Sequence, residues 1–331
     1  MGIAAHKSLL SFDLGFNHVG DAGCSSIADA LAGSCLETLY LAGNHIGEDG
    51  AMALAGSIQR GCALRKLHLT GNRLGTEGVK AITEAVVENE TRAREEDRIL
   101  SSTSSGITEL FLGGTSMGAG GCRAVARMLS MSQTICVISL ANCSLGDDEV
   151  GVLAASIKAN RVKLPLETLQ LSFNQITCRG LDALTNAIWG SNTLRELLLD
   201  NNEIGDRGAQ QIANILPHVK TLEVVDVGFN HVKAHGMKTL MKVVAGTQHL
   251  ISLSVSGNPI DTGSAKAVAY ALAYNRSLRC LFLDNCLIEH EGQRHIVAGV
   301  VSNSGTSLRK LTGFLIGRKC FWGRKGSDDS C

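Results

Sequence analysis

"LETLYLAGNHIGEDGAMALAGSI" at 36–58 is followed, after five residues, by "LRKLHLTGNRLGTEGVKAITEAV" at 64–86. Laid over one another the two stretches share the frame L-x-x-L-x-L-x-x-N-x-I-G-x-x-G-A-x-x-L-A. "LRELLLDNNEIGDRGAQQIANIL" (194–216) and "LEVVDVGFNHVKAHGMKTLMKVV" (222–244) fall in the same frame. The first apolar position of each copy lies at Leu9, Leu36, Leu64, Ile107, Ile135, Leu166, Leu194, Leu222, Leu250, Leu278 and Leu308. Subtraction gives spacings of 27, 28, 43, 28, 31, 28, 28, 28, 28 and 30. A register held this long is an internal repeat, and it governs how every local motif is read.

Each copy explains itself physically. In L-x-x-L-x-L the leucines alternate, so they face one side of a strand and the intervening residues face the other. The asparagine that follows carries both donors and an acceptor, enough to serve turn backbone groups that have no ladder partner. The next glycines suit the turn and the start of a helix. Ala and Leu then recur at helical spacing and form an apolar stripe facing the strand leucines. One copy cannot bury these leucines alone, whereas stacked neighbours can. The expected fold is α/β: a leucine-rich-repeat solenoid, or horseshoe, with a parallel β-sheet on the concave face and helices on the convex face. Parallel sheets are normally covered on both faces, so an uncovered one suggests that something else lies on it.

This frame resembles leucine-rich repeats of the ribonuclease-inhibitor type, and the likeness runs over roughly 9–316. It is also similar to the repeat regions of NLR-type receptors and of Ran GTPase-activating protein. The domain reading is residues 1–316 as the repeats, about ten full units plus a terminal strand with an insertion at 88–106, and 317–331 as a basic and aromatic tail. The resemblance implies a non-enzymatic protein-interaction scaffold in the cytoplasm that binds its partner on the concave surface. Two other readings remain: a GTPase activator resembling the Ran-directed one, with Arg73 and Arg207 in turns after their strands, and an inhibitor of a basic enzyme such as a ribonuclease. The partner is accordingly a protein, with a small GTPase or a basic protein as candidates.

Composition agrees with a regular array. The chain has 331 residues, with 31 Lys and Arg against 31 Asp and Glu, so no global field draws it to nucleic acid or an anionic membrane. Aromatics make up only 4% and prolines number 3, while glycines number 37. The eleven cysteines are an odd count with no C-x-x-C, which points to reduced thiols rather than a disulfide framework. No apolar run approaches the ~20 residues of a membrane span. The start shows no signal-peptide h-region, and His6 stands where a myristoylation motif wants Ser or Thr. No polar cap precedes the first repeat, which fits a repeat region from a longer chain or an edge covered by a partner.

Several stretches imitate chemical motifs. Gly114-Thr-Ser-Met-Gly118 fits the G-x-S-x-G nucleophile elbow. In register, however, Ser116 occupies the slot held elsewhere by His45, Arg73, Gln175 and Glu203, which has no fixed chemistry. "HEGQRH" (290–295) spaces His290 and His295 five apart, about 140° around a helix and unsuited to sharing a metal. His231 and His235 have better spacing, but His231 falls in a repeat turn. Neither a cofactor nor a metal is expected. Thr115, Cys143 and Cys286 replace the asparagine in three units, and a structural role is expected for the two thiols. The insertion "ENETRAREEDRILSSTSSG" (88–106) reads as a solvated helix extension followed by a loop. Phe321 and Trp322, in the tail between Arg318-Lys319 and Arg324-Lys325, are expected to cover the last repeat or to lie in a disordered tail, with a membrane-surface or ligand tail as the other reading.

The surface that remains is the set of strand residues between the leucines. Its central positions include Tyr40, His68, Phe111, Leu198, Asp226 and Phe282. Neighbouring positions add Lys66, Glu167, Glu196, Asp200, Glu223 and Asp284. The early part, at Arg65, Lys66 and His68, is read as mildly basic and the part from repeat 6 to repeat 10 as acidic. Tyr40, Phe111 and Phe282 suit aromatic anchors. Phe16, Phe173 and Phe229 sit just before the asparagine slot at one rim.

Overall fold

The computed structural model describes residues 8–100 and 106–313. The chain divides into two compact units, Met1–Gln175 with Asn186–Ile188, and Ile176–Thr185 with Trp189–Cys331. The tail at 317–331 lies outside the described residues. Among the described residues, eleven short strands alternate with ten helices.

In the first unit the strands are β1 (Ser11–Asp13), β2 (Thr38–Tyr40), β3 (Lys66–His68), β4 (Glu109–Phe111), β5 (Val137–Ser139) and β6 (Thr168–Gln170). Between them run α1 (Gly20–Leu31), α2 (Glu48–Arg60), α3 (Gly75–Leu100), α4 (Gly118–Met131) and α5 (Asp147–Asn160). The strands are parallel and follow chain order, with Ser11, Thr38, Lys66, Glu109, Val137 and Thr168 directly paired in turn. Lys66 pairs with Glu109 across the longest spacing of the array, so the insertion is absorbed on the helical side and leaves the sheet register intact.

The second unit contains β7 (Glu196–Leu198), β8 (Val224–Asp226), β9 (Ser252–Ser254), β10 (Cys280–Phe282) and β11 (Lys310–Leu311). Its helices are α7 (Gly205–Ile215), α8 (Ala234–Val244), α9 (Thr262–Tyr274) and α10 (His290–Ser302); α6 (Cys178–Ile188) contributes residues to both units. Glu196, Val224, Ser252, Cys280 and Lys310 pair in sequence, again all parallel.

Seven of the strands, β2, β3, β4, β6, β7, β8 and β9, have a buried central residue between two more accessible neighbours. Leu39, Leu67 and Leu110 in the first unit, and Leu197 and Leu253 in the second, are fully enclosed against helix residues such as Leu54, Ile82 and Leu240. Burying one such side chain is worth about 1.5–3 kcal/mol, and every unit contributes several. The sheet is therefore held together through one face only.

The asparagine slot works across repeats rather than within one. Asn72 Oδ1 accepts from the N–H groups of Asn44 (2.9 Å) and Ile46 (3.0 Å) in the preceding turn, and its Nδ2 donates to Leu41 O and Leu69 O, both at 2.8 Å. Asn174 does the same for Cys143 and Leu145, and Asn258 for Asn230 and Val232. Cys143 and Cys286 keep the donor role, their Sγ atoms lying 3.4 Å from Leu112 O and Val255 O, while sulfur is a weaker acceptor than an amide oxygen. Burial pushes the Cys286 thiol up to about 11 and raises that of Cys143, so both stay protonated donors, consistent with a structural role.

The residue before this slot is left-handed in ten successive turns. Gly43, Gly71, Gly114 and Gly257 have φ between 63° and 72°, while Phe16, Asn142, Phe173, Asn201, Phe229 and Asn285 have φ between 52° and 58°. This backbone is easy for glycine, tolerable for asparagine and costly for phenylalanine.

Helix α3 incorporates the first part of the insertion, 88–100. That part is not merely solvated. Asn89, Glu90 and Ala93 are buried, with Glu90 2% exposed. Asn89 Nδ2 donates to Ile58 O (2.9 Å), and Glu90 Oε1 accepts from Gln133 N (2.6 Å) and Ser132 Oγ (3.2 Å). A carboxylate closing the end of α4 thus ties the lengthened helix to its neighbour.

Candidate functional site

In the three-residue strands β1 to β10 the third residue alternates to the side opposite the buried central one, and within each unit these residues sit side by side because the register is kept. In the first unit they are Asp13, Tyr40, His68, Phe111, Ser139 and Gln170. Tyr40, His68 and Phe111 form one stack across three strands. Ring centroids are 4.2 Å apart for Tyr40 and His68 and 3.9 Å for His68 and Phe111, with interplanar angles of 24° and 10°. The rings are half-buried by this stacking rather than freely exposed. One row away, Lys66 Nζ pairs with Glu109 Oε1 at 2.7 Å. The hydrogen bond to Glu109 raises the Lys66 pKa, and burial lowers that of His68. The mildly basic patch expected at Arg65, Lys66 and His68 is therefore curtailed: the lysine charge is matched by Glu109, and the imidazole is held toward its neutral form. Glu167, just before β6, is exposed.

In the second unit the same face contains a depression of about 420 Å³. Glu196 and Leu198 of β7, Asp226 of β8, Ser254 of β9, and Phe282 and Asp284 at β10 line it. Five residues singled out on this face, Glu196, Leu198, Asp226, Phe282 and Asp284, are thus brought together. Burial raises the Asp226 pKa against the opposing hydrogen bond from Gly228 N (2.8 Å). Thr312 Oγ1 donates to Asp284 Oδ2, and Lys310 Nζ lies 5.2 Å from the centre of the Phe282 ring. Glu223 does not join this group; its Oε1 accepts from Arg195 Nη1 at 2.7 Å. Asp200 Oδ2 accepts from Asn201 Nδ2 at 2.9 Å.

The rim phenylalanines combine exposure with left-handed backbone. Phe16 is 86% exposed, Phe173 57% and Phe229 44%. The rings of Phe16 and Phe229 lie over the left-handed glycine of the following turn, Gly43 and Gly257. A Cβ at Gly43 would meet Phe16 Cδ1 at 2.8 Å.

Ser116 is exposed in a repeat turn, beside a buried Thr115 whose hydroxyl donates to Leu112 O at 2.7 Å. His295 Nε2 lies 3.5 Å from Glu291 Oε1 on α10. Arg73 lies in the turn before α3, but Arg207 lies in the first turn of α7 rather than in the turn after its strand. Among the described residues no group of three or more His, Cys, Asp or Glu side chains could hold a metal ion, and no helix is long and apolar enough to cross a membrane.

Sequence reasoning missed a second asparagine series at the helix ends. Asn160 donates to Leu129 O and Ser132 O, Asn275 to Val244 O and Thr247 O, and Asn303 to Leu272 O and Asn275 O, all between 2.6 and 2.8 Å. These residues stand three to six positions before the next repeat's first leucine, Asn275 before Leu278 and Asn160 before Leu166. That unequal spacing hides them in an alignment of the repeats.

Comparison with known proteins agrees with this architecture. The family described as "Leucine Rich repeat" matches at 5–28, 34–55, 62–82, 163–184, 190–213 and 247–269. The ribonuclease inhibitor of Sus scrofa is 28% identical over 202 residues, which is 60% of this chain and 41% of that protein. The human "NACHT, LRR and PYD domains-containing protein 5" is 24% identical over 176 residues, or 52% of this chain and 14% of that protein. The chain therefore spans well under two thirds of the length of these relatives. Among solved structures, the yeast complex of Rad7 and Elc1 superposes with a TM-score of 0.53 at 14% identity, covering 91% of this chain and 72% of the matched one. That likeness speaks for the fold alone. The periodic leucines, the parallel strands in chain order and these matches agree on a leucine-rich-repeat solenoid whose repeats are similar to those of ribonuclease inhibitor.

Proposed function

We propose that this chain is a non-enzymatic scaffold that binds a protein partner on the exposed face of its parallel sheet. Leucine-rich repeats indicate a protein-interaction scaffold in general; the choice of surface is the proposal. The observation that carries it is the uncovered sheet face. Strands β2, β3, β4, β6, β7, β8 and β9 bury their central side chain and leave the flanking ones partly accessible, and those side chains differ from repeat to repeat while the framework stays constant. The framework residues fix the fold, and the variable ones are free to fix a partner. Stacked rings in one unit and carboxylates beside Phe282 in the other are the aromatic and charged groups that dominate protein recognition. A partner with a basic or mixed surface suits the second unit.

The test is affinity purification from the native cell, with identification of the captured proteins, using three forms of the full chain. One is unaltered, one carries Glu196→Lys and Asp226→Lys, and one carries Tyr40→Ala and Phe111→Ala. Loss of the same partner with either pair supports binding through this face. An unchanged partner set with both pairs, in chains shown to be folded by circular dichroism, places the binding surface elsewhere.

A further inference from the structure

The first strand leaves an edge that every later strand of its unit has closed. Leu10 O accepts from Thr38 N, and Leu14 N donates to Tyr40 O, both at 2.9 Å and both toward β2. Backbone groups alternate in direction along a strand, so the N–H and C=O groups of Ser11 and Asp13 point the other way. No strand lies on that side among the described residues. The side chains are open there too. Leu9, Phe12, Leu14, Val19 and Ile27 are partly exposed, whereas the same slots one repeat later, Leu36, Leu39, Leu41, Ile46 and Leu54, are 0% exposed. A preceding repeat covers those later slots, so the open edge continues the interface that joins neighbouring repeats in this unit. We propose that a second copy of this chain covers the edge, with β1 pairing antiparallel to β1 of that copy about a twofold axis.

The edge is self-complementary. An axis through Phe12 sets Ser11 opposite Asp13 of the second copy, and Asp13 opposite its Ser11. These are the two residues whose backbone groups point outward, so each pair exchanges both of its hydrogen bonds. The Ser11 hydroxyl then stands across from a carboxylate, a donor against an acceptor. Phe12 faces Phe12 of the second copy in the closer, non-hydrogen-bonded position, where aromatic side chains pack. Behind the strands α1 lies beside α1 of the second copy, bringing the two Ile27 side chains together. Such a contact is the same patch on both copies, so it closes at two chains instead of growing. Edges that avoid pairing carry basic side chains or proline. The last strand does so, with Arg309 and Lys310 exposed. Between Leu9 and Leu14 the one charged side chain is Asp13, whose Oδ1 already accepts from Gly15 N at 2.8 Å. With 31 basic and 31 acidic residues, no net charge keeps copies apart.

The test is sedimentation equilibrium of the full chain, paired with amide hydrogen exchange. At about 100 µM the mass should be twice the 34.9 kDa of one chain. Ser11→Pro removes only an outward N–H, which an unpaired edge strand tolerates, and should weaken the dimer at least about tenfold. Ile27→Arg sets two like charges against one another and should weaken it by a similar factor. Val301→Arg, at a 78% exposed position of α10 in the second unit, should leave the mass unchanged. In the unaltered chain the Ser11 and Asp13 amides should be protected at about 100 µM and lose protection on about hundredfold dilution. A monomer at the higher concentration, a dimer that either substitution leaves intact, or masses that climb past two chains would each overturn the twofold contact. So would amides that stay protected at every dilution, which would mean that another part of the same chain covers β1. If a variant loses its circular dichroism signal, the dilution experiment on the unaltered chain decides alone. The edge is separate from the exposed sheet face, so failure here leaves the proposed partner surface standing.

Discussion

Asn72→Ala should be among the most damaging single substitutions of a polar residue in this chain. Asn72 is 2% exposed and makes four hydrogen bonds, accepting from Asn44 N and Ile46 N and donating to Leu41 O and Leu69 O. Truncation leaves two N–H groups of fully buried residues without their acceptor, and each such loss costs about 1–3 kcal/mol. The two carbonyls add less, because a carbonyl tolerates a missing partner better than an N–H does. With partial relaxation the total is about 3–5 kcal/mol. Asn17→Ala is the internal control. Asn17 is the same residue in the same slot, but it is exposed and makes two bonds, to Leu14 O and Gly15 O, so its loss should cost at most about 1 kcal/mol. Asn72→Cys should fall between them, since a thiol restores one weak donor, as at Cys143, and only a weak acceptor. Repeat arrays can unfold in parts, so urea denaturation should be paired with native-state amide exchange. In Asn72→Ala the amides of Asn44 and Ile46 should lose protection, while those of α8 in the second unit keep theirs. If Asn72→Ala costs no more than Asn17→Ala, or those two amides stay protected, the inter-repeat role of the asparagine is wrong.

Other expectations follow from strain and titration. Phe16→Asn should stabilise the chain by roughly 0.5–1 kcal/mol, because an 86% exposed ring is exchanged for a residue that tolerates its φ of 58°; a lower denaturation midpoint would show that the ring's contact with Gly43 matters more. Asp226 has a folded pKa above its ordinary 3.8, so its ionisation costs stability as pH rises. Asp226→Asn should therefore raise the urea midpoint at pH 7 and leave it unchanged at about pH 3. Burial depresses the His68 pKa below 6.5, so the folded state resists protonation and stability falls as pH drops through and below 6.5; His68→Phe should remove that slope. Burial pushes the thiols of Cys24 and Cys122 up to about 12, so iodoacetamide at pH 8 should label them only after unfolding; rapid labelling of the native chain would contradict their enclosure.

The fold was legible because the sequence states the same constraint many times. A single L-x-x-L-x-L stretch is ambiguous between a strand and part of a helix, whereas the spacings of 28 residues fix the strand, turn and helix of every copy. What stayed hidden was conformation without a shared chemistry. The slot before the asparagine holds Gly, Asn or Phe, which have little in common except that each adopts positive φ here. Seven of its ten occupants are Gly or Asn, and that bias was the available signal; the three phenylalanines obscured it. The packing of 88–100 was hidden for another reason. Glu90 and Asn89 look like part of a mixed-charge solvated face, and only the neighbouring repeats supply the backbone groups that draw them inward.

The exposed face was half legible, and the boundary falls between rows and columns. Which residues point outward follows from the period of two, so Tyr40, His68, Phe111, Leu198, Asp226 and Phe282 could be placed from sequence. Which of them touch depends on strands 27 to 43 residues apart, and there the sequence misled: Lys66 reads as a free basic group until β4 brings Glu109 to it. The two units diverge at this point. In the first, the aromatic rings stack on one another and Lys66 closes on Glu109, so this part of the face is largely satisfied by its own contacts. In the second, burial pushes the Asp226 pKa up, and Glu196, Asp226 and Asp284 line one depression with Lys310 over the Phe282 ring at its edge. Selection for stability alone would replace Asp226 by asparagine, which fits the same space and keeps the acceptor for Gly228 N. The Gly228 N and Ser254 hydrogen bonds only partly offset the burial of its charge, so the pH dependence of the Asp226→Asn midpoint reads how much that charge costs the fold.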